Sequence, residues 1–193
     1  MVEVQGRADH AGAVPMDLRR DPMPATAEII AGVLRAATDM GRPAVTTVGR
    51  IFVEPNLPAA VPERVSFTID ARHPDASERE RLYARHTSLI SEIQSETGLD
   101  IGYRVVLDQP PRPCDPSLVR LLEDTAGELG IPATLLHSGA GHDSQIMSRI
   151  ARVAMIFVRS EGGRSHTPEE FTTVDVAVAG IRVMAASLHK LAY

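Results

Sequence analysis

The stretch VTTVGRIFVEPNLPAAVPERVSFTIDAR, Val45 to Arg72, decides the fold. Val45 to Val53 and Val65 to Ala71 are rich in Val, Ile, Phe and Thr, side chains that fit a pleated, half-buried surface. A proline-rich loop separates them, so they read as two consecutive strands. A helix flanks the pair on each side. Upstream, Asp21 stands before Pro22 as an N-cap, and Ile29, Ile30, Val33, Leu34 and Ala37 recur at helical spacing until Gly41 and Pro43. Downstream, Ser77 to Thr97 places Leu82, Leu89, Ile90 and Ile93 on one side and stops at Gly98. Val2 and Val4 alternate with polar residues before the first helix, and Ile101 to Leu107 alternates after the second. Residues 1–107 therefore read β-α-β-β-α-β, the ferredoxin-like pattern, with four strands and both helices expected on one face.

The pattern changes after the segment DQPPRPCDP, Asp108 to Pro116, whose clustered prolines mark a hinge. Leu118 to Leu129 reads as a helix capped by Asp115, Pro132 to Leu136 as a short strand, and Gln145 to Ile150 as a brief helix after a glycine-rich turn. Val153 to Val158 is an almost continuous apolar run, suited to a strand covered on both faces of a parallel sheet. A last helix spans Asp175 to about Leu191. Residues 108–193 are thus expected to be a segment of an α/β sheet, and two strands make a poor independent domain.

Bulk properties exclude several function classes. The chain has 193 residues, a net charge of −5 and both signs interspersed, so no basic stripe is present to displace counterions from nucleic acid. Tryptophan is absent and aromatics make up 4%, which leaves no stacking platform for bases. The single cysteine, Cys114, fits a reducing compartment. The opening Met-Val-Glu-Val-Gln-Gly has neither basic n-region nor apolar h-region. The expectation is a soluble, cytoplasmic chain with no nucleic-acid or membrane partner.

Four short stretches carry residues suited to chemistry, and each has a bland alternative. GGRSHTPEE, Gly162 to Glu170, has the form of a metal-ligand turn around His166, with Glu170 placed to orient the imidazole. It also reads as a helix-cap loop with a solvent-facing histidine. SGAGHDSQ, Ser138 to Gln145, lies between an expected strand and helix, where α/β sheets bind ligands. It also reads as a glycine loop with Asp143 as N-cap. RADHAGAVPM, Arg7 to Met16, sets His10 among small residues that admit a ligand or partner. In FTIDARHPD, Phe67 to Asp75, Asp70 and Arg72 share a strand face, so Arg72 either grips a carboxylate as a bidentate fork or pairs with Asp70.

The joint order of the four stretches goes further than any one. The series G-x-A-D-H-A-G-x-x-P-M-x-x-R-x-D, V-P-x-x-V-x-F-T-I-D-x-R-H, S-G-A-G-H-D and G-G-x-S-H-T-P-x-E resembles the M20 family of metal-dependent amidohydrolases. Within that family it is most similar to the allantoate amidohydrolase and N-carbamoyl-L-amino-acid hydrolase branch, over essentially the whole chain.

The resemblance implies a ferredoxin-like lid and dimerisation domain at 1–107, followed by the closing segment of an α/β metal-hydrolase domain at 108–193. It implies that His166 is a ligand of a dinuclear zinc or manganese site. His10 would be the lid histidine that reaches the partner subunit's active site and polarises the scissile carbonyl. Arg72 would hold the substrate α-carboxylate, and Gly141 and His142 would line the substrate pocket. The implied partners are a small-molecule substrate and a second copy joined through the lid.

Two departures stand out. Ala59 occupies a position where the family usually has a substrate-binding asparagine. The family's other metal ligands and its general base belong upstream of a lid, and nothing here resembles them. The expectation is therefore a C-terminal portion of such an enzyme, inactive alone, with a non-catalytic dimerisation module or one half of a split enzyme as alternatives.

Overall fold

Asp21 opens the first helix as its position predicts. Its carboxylate accepts from the Met23 amide at 2.9 Å, satisfying one of the orphan donors of the first turn. The helix, α1, spans Pro22–Met40 and ends at Gly41, whose φ of 77° only glycine adopts without strain. The computed structural model describes residues 1–193 and divides into two units, Met1–Pro111 and Arg112–Tyr193.

In the first unit the strands are β1 (Val2–Gln5), β2 (Asp9–His10), β3 (Val45–Glu54), β4 (Ala60–Val61), β5 (Arg64–Arg72) and β6 (Asp100–Tyr103). The second helix, α2, spans Ala76–Thr97. Asp75 caps it, and Gly98 ends it at a φ of 63°. A four-stranded antiparallel sheet runs β3-β5-β1-β6, and β2 and β4 form a separate two-stranded pair. The expected order of strands and helices is present, with β2 and β4 added in the loops.

Alternation along each strand decides which face is covered. Val2, Val4, Val65, Phe67 and Ile101 point to one side and meet Ile29 and Val33 of α1 and Ile90 and Ile93 of α2. Each such fully buried side chain contributes about 1.5–3 kcal/mol of transfer free energy. Gly6 lets the exit of β1 pass the entry of α1. A Cβ there would lie 2.3 Å from the Arg20 carbonyl oxygen and 2.6 Å from Pro22 Cδ.

β6 is shorter than the alternation predicts. Its ladder with β1 is used up at Val2 and Tyr103, and the Arg104 amide then donates to the Met1 carbonyl at 2.9 Å. Val105, Val106 and Leu107 leave the sheet and are exposed.

The second unit holds α3 (Pro116–Glu128), α4 (Asp143–Met147) and α5 (Val174–Ala192). Asp115 caps α3 by accepting from the Ser117 and Leu118 amides at 2.9 and 3.1 Å. Thr125 and Ala126 of α3 and Val183 and Ser187 of α5 form its buried contact. The strands expected at 132–136 and 153–158 are not formed. A strand exists through its ladder, and neither segment has a neighbouring strand in this unit. Leu135, Leu136, Ile156, Phe157 and Val158 are consequently exposed. The brief helix expected at 145–150 sits at 143–147. No helix in the chain is long and apolar enough to cross a membrane.

Candidate functional site

His10 sits on the two-stranded pair, opposite Ala60, at the mouth of a tight turn. Its carbonyl accepts from the Ala13 and Val14 amides at 3.2 and 3.4 Å, and its ring Nδ1 accepts from the Gly12 amide at 3.0 Å. The imidazole is exposed. The Ala11 amide donates to the Ala59 carbonyl at 3.0 Å, so Ala59, where the motif comparison expects asparagine, is held beside the histidine strand.

Arg72 ends β5, where β3 pairs with it through Val45. Its Nε donates to Asp70 Oδ1 at 2.8 Å, and its Nη2 to Oδ2. The Arg72 guanidinium holds the Asp70 carboxyl below its usual range against a smaller opposing effect of burial. Hydrogen bonding to Asp70 raises the Arg72 guanidinium in turn. The ion-pair alternative for these two residues is therefore realised, with both side chains partly exposed. A substrate carboxylate here would compete with Asp70 for the same planar donors.

Gly141 and His142 lie in the exposed loop before α4. The expected cap, Asp143, is displaced by one residue: His142 is the N-cap and its Nδ1 accepts from the Ser144 amide at 3.3 Å. Asp143 becomes the first helical residue, where its charge suits the helix dipole.

His166 lies on an exposed turn with a φ of 59°, a left-handed state uncommon for residues other than glycine but one in which histidine, like asparagine and aspartate, is enriched. Gly162 and Gly163 before it have φ of 62° and 67°, which explains the glycine pair. Glu170 accepts from the His166 backbone amide at 2.8 Å. The acid thus ties the turn through the main chain, and does not take the imidazole hydrogen bond expected of it. An open cleft of about 430 Å³ is lined by Arg159, Glu161, Gly162, Phe171 and Thr173 alongside.

A zinc site takes about three or four protein ligands. No group of three or more His, Cys, Asp or Glu side chains able to hold an ion occurs in the chain. His166 brings one donor, and the donor set of this chain does not fit a complete catalytic metal site.

Two residues escaped the sequence reading. His86 is buried on the inner stripe of α2, with Leu82 and Ile90 one turn to either side. Its i, i+4 spacing from those residues was the available signal. Burial pushes its pKa below the ordinary value, and the charge of Arg85 acts in the same direction. Arg19, the arginine of the P-M-x-x-R-x-D stretch, bonds the loop that carries His10.

Comparison with known proteins adds a family. Residues 26–190 match peptidase family M20/M25/M40. The chain is 35% identical over 190 residues to an N-carbamoyl-L-amino-acid amidohydrolase of Pseudomonas sp. (strain NS671), covering 98% of this chain and 46% of that protein. It is 35% identical over 197 residues to an allantoate amidohydrolase of Bacillus subtilis (strain 168), covering 100% of this chain and 47% of the relative. A crystal structure of an amidase of the hydantoinase/carbamoylase family from Burkholderia vietnamiensis superposes with a TM-score of 0.91 at 30% identity, over 96% of this chain and 45% of that one. The chain spans about half the length of the curated relatives it matches.

Proposed function

Because the chain belongs to peptidase family M20/M25/M40, we propose that it forms the lid and the closing catalytic segment of an amidohydrolase. The reaction is hydrolysis of the linear C–N bond of an N-carbamoyl amino acid or of a ureido acid such as allantoate. The observation that carries this reading is the 35% identity of essentially the whole chain to enzymes named for those two substrates. Residues 1–107 act as a ferredoxin-like lid and dimerisation domain, a role supported by the strand order β3-β5-β1-β6 with a free edge at β3. Exposed Ile51 and Phe52 on β3 support pairing of two lids in a homodimer. The lone Cys114 is consistent with a cytoplasmic setting.

This chain's own residues play four parts. Arg72 exchanges Asp70 for the substrate carboxylate and so fixes the end of the molecule remote from the scissile bond. His10 donates a hydrogen bond to the carbonyl oxygen as negative charge develops there; removing a comparable donor elsewhere costs about 10²–10³ in kcat. Gly141 and His142 line the pocket, and His166 contributes one ligand to a divalent site of zinc or manganese. The remaining donors and the general base come from outside this chain.

The test mixes the purified chain with the polypeptide encoded directly upstream of it, adds zinc or manganese, and follows cleavage of N-carbamoyl-L-amino acids and allantoate. Turnover that appears on mixing and disappears with chelator supports the proposal. The non-catalytic dimerisation module is the second reading, favoured by the donor set that converges on no metal site. It predicts a dimer indifferent to chelator and no turnover in any mixture.

A further inference from the structure

We propose that Arg19 is a positioning residue that holds His10 with its proton on Nε2, aimed away from the protein. This inference rests on the reading of His10 as a carbonyl-polarising donor and adds the residue and the proton state that reading requires. The loop leaving His10 makes a tight turn whose carbonyls have no ladder to bond with. Arg19 supplies the missing donors: its Nε donates to the Val14 carbonyl at 3.0 Å and its Nη2 to the Ala11 carbonyl. One planar guanidinium therefore spans both ends of the four-residue turn Ala11–Val14, a geometry that a lysine ammonium cannot reproduce. Arg19 is itself half-buried, while the histidine it serves is exposed.

The turn so fixed brings the Gly12 amide to 3.0 Å from His10 Nδ1. An amide N–H can only donate, so Nδ1 must accept, and a neutral imidazole that accepts at Nδ1 carries its proton at Nε2. The other side of the strand is held as well, by the Ala11 amide on the Ala59 carbonyl and the Ala60 pairing. His10 is thus clamped through its backbone on one flank and through its ring on the other. Its remaining free ring atom is a donor, the polarity needed to meet a developing oxyanion.

The test uses the full 193-residue chain and needs no activity. Imidazole ¹⁵N spectra are recorded at a pH where the ring is neutral, together with the exchange rate of the Gly12 amide, for the native chain, Arg19→Met and Arg19→Lys. The native chain is expected to show His10 protonated at Nε2 and a protected Gly12 amide. Both variants are expected to raise Gly12 exchange by about tenfold or more, the loss of one ordinary hydrogen bond's worth of protection, and to move the His10 nitrogens toward the averaged positions of free imidazole. Arg19→Lys guards against a fold lost in Arg19→Met, and dispersion of the amide signals from β1, β3, β5 and β6 shows that each variant is folded. A native ring protonated at Nδ1 overturns the proposal. So does a pair of folded variants whose Gly12 exchange and ring signals match the native chain. Failure of the amidohydrolase reading is separately visible, as absence of turnover in the reconstituted mixture, and failure of the donor role of His10 as unchanged turnover in His10→Ala.

Discussion

His86 shows how a single side chain sets a pH limit on the first unit. Its Nε2 is buried without a partner, and burial lowers its pKa below the ordinary 6.5. The unfolded chain therefore binds a proton at a higher pH than the folded one. The consequence is fixed in sign: stability is full above about pH 6.5 and falls as pH drops below it, because protons pull the chain toward the unfolded state. Asp70 acts in a lower window. Its folded pKa lies below 3.8, so its contribution is present above that value and is lost only as pH falls through the lowered one. Urea midpoints for the native chain should decline between pH 7.5 and 5, and His86→Gln should flatten that decline while leaving the drop below pH 4. A decline of equal size in His86→Gln would remove this account. At Arg72, replacement by lysine loses the planar fork, and KM in the reconstituted enzyme should rise by about tenfold or more with a smaller change in kcat.

At the scale of elements, the first unit was legible because its signals are local. Asp21 caps the helix that follows it, as Asp115 does in the second unit, and each accepts backbone amides as the cap position predicts. Gly41 and Gly98 stop their helices at positive φ. Alternation at Val2 and Val4 and the composition of Val65 to Ala71 identified strands whose inward side chains, Val2, Val4, Val65 and Phe67, cover one face of the sheet. What escaped was nonlocal. Val153 to Val158 has the composition of a buried strand, yet a strand needs a neighbour, and composition does not say whether one is present. The site followed the same rule. His10 and His166 were visible as motif residues, but the Arg19 bonds to Ala11 and Val14 depend on a loop path that no spacing rule encodes. Gly6 makes this scale testable. Gly6→Ala drives a Cβ into the Arg20 carbonyl, and backbone cannot swing aside as a flexible side chain does. It should destabilise the first unit by about 1–3 kcal/mol. Gly102→Ala, on β6 with nothing within 4 Å of the added carbon, should change stability far less in the same denaturation series.

The whole molecule is unevenly finished. The first unit closes a core of sheet and two helices around Phe67 and Ile29, while the second buries little beyond Thr125, Ala126, Val183 and Ser187. Ile150, Phe157, Val174, Ile181 and Leu188 are left exposed there. An open apolar area of this kind favours association. The isolated chain should bind an apolar dye such as ANS and self-associate at micromolar concentration, and residues 112–193 should exchange amide hydrogens much faster than residues 1–111. Uniform protection across both units, with no dye binding, would contradict that view.

The proposal that this chain carries only part of a metal-dependent amidohydrolase site is tested most directly by equilibrating the pure 193-residue chain with zinc or manganese. Bound metal is counted and hydrolysis of an N-carbamoyl-L-amino acid is assayed in the same sample. With His166 as the one ligand offered, the account predicts no tightly held pair of ions and no turnover. Two tightly bound ions together with chelator-sensitive hydrolysis by the chain alone would contradict it.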